Sequence, residues 1–127
     1  RNFAKMPFMK FAALFFLSVF VFFNQIFAQD FRQKINAAVE NRDYDAAINE
    51  LKLLEKSDKK LFTNNNYDYL LARMAEKRGD TATAMAKYQV VVKRNSVLTE
   101  YALWHLSQIA RSSGNLNSER VFLRQLT

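Results

Sequence analysis

From Asp30 onward, apolar residues return every three or four positions rather than every second one, the spacing of helices that bury one face. Ile35 and Ala38 set the beat, and Ala47, Leu51 and Leu54 continue it. It recurs in Leu71, Ala72 and Ala75, in Ala84, Tyr88 and Val91, in Leu106, Ser107 and Ala110, and at Glu119, Leu123 and Leu126. Polar clusters interrupt it at RDYD (42–45), SDKK (57–60), RGDT (78–81), RNS (94–96) and SGN (113–115), which predicts six helical stretches. With two Gly and one Pro in the whole chain, breakers are scarce, and the expected class is all-α.

Upstream the pattern is of another kind. The run FAALFFLSVFVFF from Phe11 to Phe23 holds 13 residues without a polar break beyond Ser18, behind Arg1, Lys5 and Lys10 and ahead of Asn24-Gln25 and the small residue Ala28. A basic head, an apolar middle and a polar tail predict an export signal over residues 1–28, cleaved after Ala28. A membrane-spanning helix needs about 20 apolar residues, so the length of the run favours a cleaved signal over a retained anchor, the other reading. No Cys stands at the junction, which excludes lipoprotein attachment. Met6 and Met9 lie just inside the start, and Met9-Lys10 would open a conventional signal, so the initiator is expected there rather than at Arg1.

Aligning the later segments on their turns brings out repetition. Arg42-Asp43, Gly79-Asp80 and Gly114-Asn115 are separated by 37 and 35 residues, with apolar or small residues at matching offsets on both sides. A Gly at the turn supplies the left-handed backbone that ends one helix, and the Asp or Asn after it caps the next; Arg42-Asp43 keeps only the cap. Small residues facing one another, Ala72 against Ala84 most clearly, let two helices approach closely. Helix pairs of this kind bury their apolar faces only by stacking, and three are about the minimum.

At these residues, most clearly in LLARMAEKRGDTATAMAKYQVVV from Leu70 to Val92, the chain resembles the tetratricopeptide family, whose unit is about 34 residues long. The resemblance implies a helix-turn-helix solenoid of about three helix pairs following the signal helix, in units of about 29–60, 61–95 and 96–127. The family's aromatic near the start of the first helix is replaced by shifted ones, Tyr69 and Trp104, and its Pro after the second helix is missing. A narrower resemblance covers Leu61 to Leu126. There, NNYDYLLARMAEKRGD and LTEYALWHLSQIARSSGNLNSERVFLRQL look like the helical N-terminal region of exported soluble lytic murein transglycosylases, which cleave peptidoglycan. It implies a catalytic domain beyond Thr127 and a domain truncated at its C-terminus; the Glu-Ser pair of that catalytic domain has no counterpart here, since Ser118-Glu119 stands in reverse order on a repeat helix.

Charge and composition narrow the chemistry. Nine of the 12 Phe fall within residues 1–28, and removing that segment's three basic residues leaves 16 basic against 12 acidic, a mild and interspersed excess that does not indicate a nucleic-acid partner. The chain has no Cys, so helix packing has to supply the stability of an exported domain without disulfides. The sole His, His105, reads as a structural residue, and no clustered ligands point to a metal or other cofactor. Neither Gly sits in a phosphate loop. Asp43 and Asp45 flank a turn, where capping accounts for Asp43 better than glycosidase chemistry.

What remains is the concave side of the array, lined by the first helix of each pair. The repeat offsets place Arg32 and Asn36 there from the first unit, Tyr69, Arg73 and Lys77 from the second, and Tyr101, Trp104, Gln108 and Arg111 from the third. Aromatic and Arg side chains are common binding anchors, and aromatic rings also stack on sugars. The stripe therefore suits a protein segment or a peptidoglycan-type envelope polymer; packing of Tyr101 and Trp104 between units is the competing reading. The expectation is a non-catalytic interaction module exported to the periplasm or cell envelope. The alternative is the leading fragment of a lytic transglycosylase, and a membrane enters only if the signal is uncleaved.

Overall fold

A computed structural model of the chain describes residues 8–127. Every regular element among them is an α-helix: α1 (Phe8–Glu40), α2 (Tyr44–Ser57), α3 (Lys59–Asn64), α4 (Tyr67–Arg78), α5 (Thr81–Lys93), α6 (Thr99–Ser112) and α7 (Leu116–Arg124). The chain divides into two compact parts, residues 1–33 and 34–127. Seven helices replace the six stretches expected because the segment after Ser57 breaks again at Asn64–Asn66. The first of the seven, α1, also takes in the signal run as one continuous helix.

In the first part, α1 carries a band of exposed apolar side chains that includes Phe15, Phe16, Phe22 and Phe23. Asn24-Gln25 does not end the helix, because one polar pair costs an α-helix little when neither residue is Gly or Pro. α1 is thus long and apolar enough to cross a membrane by length and composition, a test that a signal sequence also passes. Arg1 and Lys5 of the basic head lie outside the described residues.

The second part is built around one turn made three times. Arg42, Gly79 and Gly114 all take positive φ, at 56°, 88° and 74°. The residue after each returns its amide to a carbonyl five positions back: Asp43 to Ala38 at 2.9 Å, Asp80 to Ala75 at 2.8 Å and Asn115 to Ala110 at 2.8 Å. Those bonds satisfy carbonyls that the helix end would leave orphaned. The same three residues then cap the next helix, their side-chain oxygens accepting from the amides of Ala46, Thr83 and Ser118. Hydrogen bonding from the Thr83 side chain, and then from its amide, holds the Asp80 carboxyl below its ordinary pKa. Arg42 thus does more than precede a cap; it occupies the left-handed position itself.

Packing follows the apolar register. Ile35, Ala38, Ala47, Leu51, Leu54, Leu71, Ala72, Ala75, Ala84, Tyr88, Val91, Leu106 and Ala110 are all buried. α4 packs on α5 and α2, α5 on α6, and α6 on α7. Leu123 is exposed and Leu126 only half-buried, so the apolar face of α7 is the least covered in this part. α3 delivers Phe62 to the core, and Asn66, an amide residue that tolerates positive φ, turns the chain into α4. The buried carboxylate of Asp68 on α4 meets Arg94 and, at 3.6 Å, Lys87, whose ammonium also reaches Glu55 on α2 at 2.6 Å. That cluster ties α2, α4 and α5 together with charges that would be expensive to bury unpaired.

Candidate functional site

On α4, Tyr69, Arg73 and Glu76 follow one another at intervals of four and three residues, which places them on one helical face. On α6, Tyr101, Trp104, His105 and Gln108, spaced three, one and three apart, also share a face. The two faces meet at His105, a residue only 8% exposed. Its neighbours come from three helices. Tyr88 of α5 stacks parallel to it with centroids 5.0 Å apart; Tyr69 and Trp104 meet it edge-on at 6.2 and 4.8 Å. Nη1 of Arg73 lies 3.1 Å from its Nε2 and 3.2 Å from its Nδ1. That nitrogen is thus within hydrogen-bonding distance of both ring nitrogens.

Glu76 completes the cluster. Its Oε2 accepts from the Tyr88 hydroxyl at 2.6 Å and from Arg73 at 3.1 Å, and lies 3.0 Å from Nδ1 of His105. That geometry assigns the Nδ1–H to Glu76 and leaves Nε2 unprotonated in the neutral ring. Burial holds the imidazole below its ordinary pKa; the Glu76 charge pulls upward and the Arg73 charge pushes further down. Burial also raises Tyr88, helped by its bond to Glu76, so the phenol stays a donor. The carboxylate is committed to holding three helices, which makes the cluster a scaffold for the exposed groups around it.

Those exposed groups include most of the residues that the repeat offsets place on the concave side. Tyr101 is 61% and Trp104 51% exposed, so both rings are accessible rather than packed between helices. Tyr69 is half-buried against Tyr88 and His105, Arg73 is half-buried on the imidazole, and Lys77 is exposed one turn further along α4. Gln108 lines a cavity of about 320 Å³ with Glu76, Thr81, Ile109, Ser112 and Ser113. Arg73 and Glu76 both reach His105, and Glu76 lines the cavity with Gln108 and Ser112, so α4 and α6 meet through these side chains. Arg111 turns instead to α7, where its Nε and Nη2 both lie 2.7 Å from Oε1 of the buried Glu119. Asn36 is exposed at the end of α1 in the second part; Arg32 is exposed in the first.

Sequence reasoning set His105 aside as a structural residue and did not connect it to Glu76 or Tyr88. The available signal was indirect: Tyr88 sits at a core offset with a hydroxyl that needs a partner when buried, and Glu76 lies one turn from Arg73. Only the packing of α5 and α6 on α4 brings them together. Among the described residues no three His, Cys, Asp or Glu side chains are grouped to hold a metal ion. No family model, curated protein or solved structure matches the chain.

Proposed function

We propose that the chain is a non-catalytic interaction module, exported to the periplasm or cell envelope, that stacks tetratricopeptide-like helix pairs and binds a protein partner or envelope polymer along the α4–α6 face. The observation that carries this reading is the combination, on one face, of Tyr101 and Trp104 exposed to solvent with a buried cluster beneath them that fixes their helix. Aromatic residues are enriched among binding anchors, and anchors supported by a rigid base bind with little entropic loss. The thrice-repeated turn, and the packing of α4 on α5, α5 on α6 and α6 on α7, support the stacked arrangement. The apolar α1, with basic residues ahead of it in the sequence, supports export.

The test compares the parent with a Tyr101→Ala, Trp104→Ala double variant. Both positions are exposed, so the variant should keep the parent's circular dichroism. Pull-down from envelope extract and co-sedimentation with purified peptidoglycan should each be run with both proteins. The expected result is that whichever partner the parent retains is lost from the variant. Equal retention by both would remove the α4–α6 face as the binding surface.

A further inference from the structure

We propose that His105 is an acid-operated latch beneath this face: when the imidazole takes a proton, the Arg73 guanidinium lying against it is driven off the ring and out toward solvent. The inference rests on the α4–α6 face being the binding surface, since Arg73 is the cationic group that the movement would present there.

The geometry sets up the conflict. From α4 the ring faces Tyr69, Arg73 and Glu76; from α5 it faces Tyr88; on its own helix it touches Trp104. α7, the other helix packed on α6, directs its Glu119 carboxylate to Arg111. With the ring neutral, the positive Arg73 and negative Glu76 balance. A proton from water adds to Nε2, because Nδ1 already faces Glu76, and Nε2 is the atom 3.1 Å from Nη1 of Arg73. Two cations then share one carboxylate, whose Oε2 also holds the Tyr88 hydroxyl at 2.6 Å. Nε2 can then no longer accept from Arg73, and the two cations repel across 3.1 Å, so the contact between them opens. The His105 side chain is 10% exposed and hemmed in by three aromatic rings, whereas that of Arg73 is 30% exposed and borders solvent. Arg73 therefore moves, the imidazolium keeps Glu76, and the face gains a free guanidinium able to meet a carboxylate or phosphate. The depressed imidazole pKa is the equilibrium expression of the same conflict.

The chain is suited to the measurement because His105 is its only His and Trp104, in edge contact with it, its only Trp. In the full chain, held in mild detergent, the imidazole resonance and the Trp104 emission are followed from pH 8 to pH 4. Both should move with one midpoint below the ordinary value of about 6.5. Arg73→Met should raise that midpoint and Glu76→Gln should lower it. A parent midpoint at or above the ordinary value would overturn the latch, and so would a midpoint indifferent to Arg73→Met. Should Arg73→Met fail to fold, Arg73→Lys moves the charge away from the ring on a different head group, and its midpoint should lie above the parent's; an unchanged midpoint would overturn the latch. No ligand is needed, so failure here is distinguishable from failure to find a partner: an inert His105 would leave the binding face standing, and loss of the binding face would leave the titration unchanged.

Discussion

α4–α5 and α6–α7 are built alike and cross-linked oppositely. Shifting the first by 35 residues lays Leu71 on Leu106, Ala75 on Ala110, Gly79 on Gly114 and Tyr69 on Trp104. The turns coincide bond for bond. Yet the same shift sets Glu76 on Arg111 and Ala84 on Glu119. In α4–α5 a carboxylate on the first helix accepts from Tyr88 on the second; in α6–α7 a guanidinium on the first donates to Glu119 on the second. The turn and the apolar register define the segment, while the polar link between its helices differs both in charge and in the position it uses on the second helix, Tyr88 in one and Glu119, the counterpart of Ala84, in the other. Surroundings decide which sign is affordable. Glu119 is tolerated because the guanidinium it meets is 63% exposed at the rim, while Ala84 is completely enclosed.

The strongest way to break the comparison is to transplant the α7 residue without its partner. Ala84→Glu would bury a carboxylate that has no guanidinium opposite it, and should cost about 3–5 kcal/mol, the range for an uncompensated buried charge. Urea unfolding followed by circular dichroism should show the midpoint collapse; a variant as stable as the parent would mean that the two segments are not equivalent in the way proposed. Next in size is Tyr88→Phe, which removes the hydroxyl that Glu76 accepts and should cost about 1.5–3 kcal/mol, as for a hydrogen bond to a charged group. The reverse experiment should do little: Glu119→Ala restores the residue type found at position 84 and leaves Arg111 in water, for a change within about 1 kcal/mol.

Acid should separate the two segments as well. Burial depresses the His105 pKa in the folded chain, so folding favours the neutral ring. The unfolded chain then binds more protons below the ordinary value of about 6.5, and stability should fall with pH from there down to the folded midpoint. His105→Gln should flatten that limb. The Asp80 cap is lost at lower pH, since its carboxyl is held below the ordinary value by the Thr83 side chain and amide, and its contribution disappears only as pH falls through the folded pKa. A two-step profile in the parent with only the lower step in His105→Gln is the expected outcome.

How much of this was legible in the sequence follows from how local each feature is. Gly79-Asp80 and Gly114-Asn115 announce their turns because the left-handed residue and the cap are neighbours in the chain. The buried register was readable for the same reason, from Ile35 through Ala110. The break at Asn64–Asn66 was missed because three Asn residues carry a weaker stop signal than Gly or Pro, though Asn66 adopts positive φ all the same. The continuity of α1 through Asn24-Gln25 was missed because a polar pair reads as an end while helix propensity carries the backbone through it. The His105 cluster was not readable at all: Glu76, Tyr88 and His105 come from three helices, and nothing in their spacing fixes how those helices pack.

The first turn offers the finest test, because it performs with Arg what the other two perform with Gly. Arg42 holds φ at 56°, and its amide and the next one make the same bonds as those of Gly79 and Gly114. A side chain in that conformation costs about 1–2 kcal/mol from the crowding of Cβ against the carbonyl. Replacing it by Gly removes that cost but adds about 0.5–1 kcal/mol of unfolded-chain entropy. The balance predicts that Arg42→Gly stabilises the chain by about 0.5–1 kcal/mol, a small rise in the thermal midpoint. A gain would show that the turn geometry is imposed by the helices on either side, with the residue accommodating it. A loss would mean that the exposed Arg42 side chain contributes more than its backbone strain, and that the first turn resembles the others in shape but not in what holds it.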